Sequence, residues 1–370
     1  MQRYEIIFYF LFFISYFLRN FAAHNRYNMM KKVNATSYLY IASGGIFLIL
    51  ALVVIYLFVP VSKADVTQYV YIDEDDTQDS VVVKVQAFSH TAGMTGLSTL
   101  LRHSSYGENI HTGRYAIEPS DGALKIFRHL KNGQQSSFNL TIPEARTTEI
   151  LAAQLAGKLM MDSAAIASAL HSPEICERLG YDTCSITAMF VPNTYDVYWN
   201  MSVNGFLERM KKEHDKFWQG DRTQKAAQIG LSPNEVCTLA SIIDEETANN
   251  TEKPMIAGMY INRLHQQMPL QADPTIKFAL RQFELKRIYN KLLDTDSPYN
   301  TYRNEGLPPG PIKIASIQGV DAVLNYARHD FVYMCAKEDF SGTHNFARTY
   351  QEHLKNAARY SKALNERGIR

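Results

Sequence analysis

The sequence predicts an α+β protein in three parts: one membrane-spanning helix, a small α+β unit and a larger helix-rich domain. Three observations carry this. The chain from 37 to 59 is apolar and carries no charge. Between 81 and 142, short strand-like and helix-like patterns alternate, and beyond Pro143 longer patterns of 3.6-residue period dominate. A chain of 370 residues, 46% hydrophobic and 20% charged, has enough apolar material for one large or two modest cores.

The run from 37 to 59 matches the roughly 20 residues a helix needs to cross a bilayer. Arg19, Arg26, Lys31 and Lys32 precede it and only Lys63 follows closely. The positive-inside rule therefore leaves residues 1–36 in the cytoplasm and exports everything after Pro60. A second apolar run, Ile6 to Leu18, is only about 13 residues long, short for a span, and lacks a small-residue cleavage site. Met29 and Met30 stand directly before Lys31 and Lys32. The expectation is that the natural chain starts there and that the residues before it come from an upstream start.

Residues 60–80, with DEDDTQD at 73–79, read as a linker or the edge of the small unit. Within 81–142, VVVKVQAF (81–88) is expected as a strand, TGLSTLLRH (95–103) as a helix and GRYAI (113–117) as a strand. GALKIFRHL (122–130) follows as a helix and SSFNLTI (136–142) as a strand. From 143 to 370 the helical candidates are 148–160, 203–217, 233–247, 254–266 and 317–327, separated by loops rich in Pro and Gly. No internal repeat divides them, so they form one domain.

Composition excludes several classes. With 38 Lys and Arg against 37 Asp and Glu, the net charge of +1 gives none of the basic footprint of a nucleic-acid binder. The four cysteines, Cys176, Cys184, Cys237 and Cys335, have neither zinc spacing nor the density of a disulfide scaffold. Buried free thiols are the simplest expectation, although Cys176 and Cys184 are close enough in sequence to pair in an oxidising compartment. Eleven histidines, among them His344 and His353, form no HExxH or comparable ligand motif, which makes a metallohydrolase the weakest of the enzyme readings.

The sharpest local signal is Ser232-Pro233-Asn234-Glu235, a capping box with Pro at the first helical position. It sets the start, and hence the register, of the helix through VCTLASIIDEET. In that register Val236, Leu239, Ala240, Ile242 and Ile243 share one side, and Glu246 lies roughly 45° from the centre of the stripe. Asp244 and Glu245 fall well away from it. A carboxyl on the apolar side of a helix must be paired, hydrogen-bonded or protonated. With a raised pKa it can serve as a general acid near neutral pH. The periodicity equally allows Glu246 to pair with Arg263 in the next helix.

LASIIDEET (239–247), MYINRL (259–264) and LQADPT (270–275) together resemble the YceG-like family of endolytic murein transglycosylases. FVPNTYDVYW (190–199), SPYNTY (297–302), GLPPGPI (306–312) and GTHNFARTYQEH (342–353) add to the likeness, in family order. GRYAI and LKNGQQSSFNLTIPEA resemble the LysM-like region that precedes the catalytic domain. The fold class that follows is α+β, with an N-terminal transmembrane helix, a LysM-like subdomain at 81–142 and a helix-rich YceG-like catalytic domain at 143–370.

By this resemblance the catalytic residue is Glu246, the acid just before the Thr of the motif. The chain departs from the usual pattern at Asp244, often Glu in relatives, and at Glu245, more commonly Lys, which adds a negative charge beside the catalytic position. Glu246 would protonate the oxygen between N-acetylmuramic acid and N-acetylglucosamine and then deprotonate the muramoyl 6-hydroxyl, giving a 1,6-anhydromuramoyl end. Asp273, Tyr299, Asn300, Tyr302 and His344 are the candidate substrate-binding residues. Each has a plainer reading: Asp273 as a helix cap, Asn300 as a turn residue, the tyrosines as packing, His344 as a structural hydrogen-bonding partner.

GLPPGPI is expected to form a rigid loop against the groove. No cofactor is implied. The implied partners are peptidoglycan glycan strands and peptidoglycan synthases (penicillin-binding proteins), at the plasma membrane, with no nucleic acid. Two other readings remain open: a lysozyme-type muramidase using Asp244 or Asp273 as second carboxylate, and a non-catalytic glycan-binding scaffold.

Overall fold

The structure, a computed structural model, describes residues 16, 19–20, 35–285 and 288–368. Apart from Tyr16, the apolar run at 6–18 lies outside the described residues, as do Arg26, Met29, Met30, Lys31 and Lys32. The chain divides into two compact units. One takes in the segment ending at Gln68 with Thr77–Ile110 and Ile117–Lys131, and the other Tyr69–Asp76, His111–Ala116 and the chain from Asn132 onward.

The first unit opens with helix α1 (Ala35–Phe58), whose Tyr38–Phe58 segment is long and apolar enough to cross a membrane. Leu39, Ile46, Ile49 and Leu52 stand exposed along it, as they would if lipid covered them. Helices α2 (Gln78–Gln86), α3 (Thr91–Arg102) and α4 (Ala123–Lys131) complete the unit. The last turn of α1 packs closely on α3, where the Tyr56 hydroxyl donates to the Thr95 carbonyl at 3.0 Å. A Cβ at residue 96 would stand 2.2 Å from the Tyr56 carbonyl oxygen, so only glycine fits there.

Helix α2 corrects the expected strand at 81–88. Thr77 and Ser80 form a capping box: Thr77 N donates to Ser80 Oγ at 2.9 Å, and Ser80 N to Thr77 Oγ1 at 3.2 Å. Val81, Val82 and Val85 are then buried on one helical face while Val83 stands 65% exposed, the reverse of strand alternation. The β-branched run suggested extension, but the cap and the burial pattern outweigh a weak intrinsic preference.

The second unit is helix-rich and has one continuous apolar core. Its sheets are small. Strand β1 (Gln68–Ile72), inside the segment expected as linker or edge, pairs with β2 (Gly113–Ile117). Strand β3 (Phe138–Thr141) lies antiparallel to β4 (Thr194–Val197), with Leu140 opposite Tyr195. Helices α5 (Thr148–Ala156), α6 (Ser163–Leu170), α7 (Pro173–Leu179), α8 (Val203–Phe217) and α9 (Asp221–Ile229) follow in sequence around them.

The centre of this unit is α10 (Pro233–Glu246), packed against α11 (Lys253–His265), α12 (Asp273–Ala279) and α13 (Ile317–Leu324). The antiparallel pair β5 (Tyr333–Ala336) and β6 (His344–Ala347) packs with the final helix α14 (Tyr350–Glu366). The mixed helix-rich α+β architecture agrees with the sequence expectation. The expected helix at 203–217 has the predicted limits, whereas those at 148–160 and 317–327 stop early, at Ala156 and Leu324. The short helices α6, α7, α9 and α12 have too few turns to show a clear apolar stripe in sequence.

Candidate active site

Helix α10 carries the candidate acid. Ser232 Oγ accepts from Glu235 N at 3.3 Å and Ser232 N donates to Glu235 Oε2 at 2.7 Å, so the capping box and its register are as read. Val236, Leu239, Ala240, Ile242 and Ile243 are all fully buried. The helix ends at Glu246, since Thr247 turns extended at φ −147° and ψ 137°. The half-buried Glu246 carboxyl thus sits at the negative end of the helix dipole, a poor place for an anion.

The three acidic positions at the C-terminal end of α10 have separate environments. The Asp244 side chain, 1% exposed, accepts from Lys253 Nζ at 2.7 Å, from Ser316 N at 2.6 Å and from Ser316 Oγ at 2.8 Å. Both its oxygens are engaged in tying α11 and the start of α13 to α10. Glu245 accepts from Arg146 Nε at 3.2 Å and Nη2 at 3.0 Å, with Lys313 at 3.8 Å. Among the described residues, Glu246 has no cation bonded to it. Its one hydrogen bond among the described residues comes from the Tyr260 hydroxyl, 2.9 Å from Oε1.

Burial pushes the pKa of Glu246 up to about 7, the Tyr260 hydrogen bond and the Lys277 charge pull it down, and the charges of Asp273 and Glu245 push it up. Arg263, the alternative partner from sequence, is directed elsewhere. Its Nε donates to the Val332 carbonyl at 2.6 Å, and its Nη1 to the carbonyls of Pro269 at 3.0 Å and Leu270 at 2.8 Å. It fastens the chain that leads into α12.

That chain and the 297–304 loop are knitted together. Gln271 N donates to the Thr301 carbonyl and Ala272 N to Thr301 Oγ1, both at 3.0 Å, and Thr275 and Thr301 share a hydroxyl bond at 2.9 Å. Tyr302 is thereby set beside the start of α12, where its hydroxyl donates to Asp273 Oδ1 at 2.6 Å. Asp273 is the first residue of α12, with Ala272 in the cap position, so the side chain serves Tyr302 in place of a helix terminus. Lys277 lies one turn further along the same helix.

The other candidates stand apart from the carboxyl. Asn300, fully buried, donates through Nδ2 to the carbonyls of Leu293 at 2.8 Å and Thr295 at 2.7 Å, and its Oδ1 accepts from Tyr302 N at 3.0 Å. Its amide shapes the loop that presents Tyr302. Tyr299 turns into the core against Phe278, ring centres 4.7 Å apart, and burial raises its phenol pKa. His344 donates its backbone N–H to Glu252 Oε1 at 2.6 Å, with Nδ1 3.1 Å from Oε2. Glu252 also accepts from Thr247 Oγ1 at 3.3 Å, which connects His344 to the residue following Glu246.

In the GLPPGPI loop, Ile312 N donates to Ser241 Oγ of α10 at 3.0 Å, and a Cβ at residue 310 would stand 2.1 Å from the Cys184 carbonyl oxygen. Cys184 itself is exposed, unlike the buried Cys176 and Cys237, and all four cysteines are unpaired.

Glu246, Asp273 and Tyr302 are therefore brought together, and the sequence reading missed two members of the group, Tyr260 and Lys277. Tyr260 stands within the MYINRL motif, where it reads as an apolar-face aromatic; Lys277 follows Asp273 by one helical turn, a spacing that places both on one face. A single carboxyl that is half protonated near neutral pH can give up a proton and take one back, so the fold presents a site for general acid–base chemistry.

The family whose motifs surround this carboxyl is the one most of the chain matches: the model of the YceG-like family covers residues 70–359, and the chain belongs to that family. An endolytic murein transglycosylase of Bacillus subtilis is 39% identical over 137 residues, 37% of this chain and 37% of the relative. One from Streptococcus pneumoniae is 25% identical over 287 residues, 68% of this chain and 51% of the relative. The chain thus spans between about a third and half the length of these relatives. The crystal structure of a YceG-like protein from Listeria monocytogenes aligns with TM-score 0.51 at 25% identity, covering 79% of this chain and 99% of that one.

Proposed function

We propose that this chain is a membrane-anchored endolytic peptidoglycan transglycosylase that cuts the β-1,4 bond between N-acetylmuramic acid and N-acetylglucosamine within glycan strands. The observation that carries the reading is Glu246, an acid with its pKa pushed up to about 7 at the end of a buried helix, while Asp244 and Glu245 are bound by cations. Hydrolases of this bond class use two carboxylates, one for the leaving group and one for water or the sugar carbon. A transglycosylase needs only one.

Protonated Glu246 gives its proton to the glycosidic oxygen as the bond from muramoyl C1 breaks, and the leaving N-acetylglucosamine keeps that proton. The muramoyl 6-hydroxyl oxygen bonds to C1 and its proton passes to the Glu246 carboxylate. The acid is regenerated and no water is consumed. Asp273 and Tyr302, joined by their 2.6 Å hydrogen bond, form a polar edge for the sugar beside the acid. Asn300, through Tyr302 N, holds that edge in place, and His344 acts through Glu252 on Thr247.

The apolar helix α1 supports single-pass anchoring, and the excess of Arg and Lys before it supports a cytoplasmic N-terminus with the catalytic domain outside. The motifs at 113–117 and 130–145 favour a LysM-like subdomain before a catalytic domain from 143 onward. Relatives named endolytic murein transglycosylases support peptidoglycan as the substrate, and the family resemblance favours work beside peptidoglycan synthases, on growing strands.

The test is to incubate the full chain in detergent with purified peptidoglycan, alongside Glu246→Gln, and identify released glycans by mass spectrometry. Anhydro-ended fragments from the unaltered chain alone are expected. Reducing ends would replace this reading with a muramidase in which Asp273 is the second carboxylate, and no products from either chain would leave a glycan-binding scaffold.

A further inference from the structure

Glu246 has two oxygens, and the mechanism above asks one carboxyl to act first as acid and then as base. Its neighbours treat the two oxygens differently. Tyr260 on α11 is 1% exposed, and its hydroxyl reaches Oε1 at 2.9 Å. Among the described residues no donor is bonded to Oε2. Burial holds the Tyr260 phenol well above its usual pKa, so it remains a donor at every pH at which the protein works. A protonated carboxyl accepts through its carbonyl oxygen far better than through its hydroxyl oxygen. The bond from Tyr260 therefore makes Oε1 the carbonyl and leaves the acid proton on Oε2.

We infer that Tyr260 is a positioning residue for Glu246, fixing Oε1 so that Oε2 alone both releases the proton to the glycosidic oxygen and recovers it from the 6-hydroxyl. This rests on the transglycosylase reading. A carboxyl free to rotate would have to find the leaving oxygen and the 6-hydroxyl in separate orientations. Held by Tyr260, it meets both with one oxygen, and the sugar ring brings its own 6-hydroxyl to the place the leaving group vacates. The other groups that bear on the carboxyl are Asp273 and Lys277 from α12, Glu245 from its own helix, Tyr302 from the 297–304 loop and Arg263 from α11. None of them bonds to it.

The experiment compares the full chain with Tyr260→Phe, measuring kcat and KM for anhydro-product release across pH. Removing a donor that favours the ionised carboxyl raises its pKa, so the alkaline limb of the profile moves upward by about one pH unit. kcat falls by about tenfold or more, with KM within about a factor of two, because the loss is in alignment and not in binding. Tyr195→Phe is the control: another buried tyrosine, whose hydroxyl donates to the Val191 carbonyl at 2.9 Å, away from the site, and it leaves the profile unmoved.

Incorporation of 3-fluorotyrosine at position 260 keeps the shape and strengthens the donor, and it moves the same limb downward. An unchanged limb in Tyr260→Phe and in the fluorinated chain would overturn the inference, as would movement opposite to these directions. Absence of anhydro products from the unaltered chain would instead overturn the transglycosylase reading, a separate result.

Discussion

Glu246→Gln removes one titration while keeping the side chain's shape and its acceptor oxygen for Tyr260, so the effect on stability can be worked from the carboxyl alone. In the unfolded chain a glutamate releases its proton near 4.5; in the fold, burial and the neighbouring acids hold it until about 7. Between those values the folded state binds more protons than the unfolded state, and stability falls as pH rises. The contribution is fully present below 4.5 and lost as pH rises through about 7. At 1.36 kcal/mol per pH unit this amounts to about 3 kcal/mol, somewhat less after allowance for the part of the side chain that water reaches.

The variant has no such slope. Thermal unfolding of both chains in the same detergent, from pH 4.5 to 8, should give Tm values that converge at the acid end. At pH 8 the variant should lead by about 5–10 °C, on the usual relation for domains of this size. The same variant should be inactive on peptidoglycan at every pH. Parallel Tm curves would mean that Glu246 titrates normally in the fold, and the case for a poised acid would fail.

Lys253→Met leaves the Asp244 carboxylate, 1% exposed, without its cation. A loss of about 3 kcal/mol is expected in chemical denaturation, and adding Asp244→Asn to the same chain should recover part of it; full stability in the single variant would contradict the buried pair. Asn300→Ala strands two carbonyls and the Tyr302 amide that Asn300 now satisfies. It should cost about 2–4 kcal/mol and lower kcat further than stability alone explains, because Tyr302 loses its seat beside Asp273. An Asn300→Ala chain with normal midpoint and kcat would show that the loop holds its shape without that amide.

What could be read from residue order was whatever depends on neighbours along the chain. The uncharged run at 37–59 announces α1 by length, and the capping box at Ser232 sets the register that carries Glu246 to the edge of the apolar stripe. The family too was legible, because its motifs are local strings and the match over 70–359 contains them. At 81–88 the same local logic failed: a β-branched run looked extended until Thr77, just outside the window, capped it as a helix. Both readings rest on propensities of a few tenths of a kcal/mol per residue, which a cap or a buried face can reverse.

The environment of Glu246 belongs to tertiary structure. Tyr260 reaches it from the next helix, and Tyr302 reaches Asp273 across 29 residues because Thr301 is bonded to Ala272 and Thr275. Arg263, which periodicity offered as a partner, is drawn to three backbone carbonyls, those of Val332, Pro269 and Leu270. Asn300, read as a possible sugar contact, has its amide filled by its own loop. The amino-acid sequence alone determined that an acid would stand on the buried side of α10. Whether that acid would be paired, ionised or held protonated was decided by groups that meet only when α10, α11, α12 and the 297–304 loop close together, since a carboxyl's pKa is set by the water, charges and donors within a few ångströms, wherever in the chain they originate.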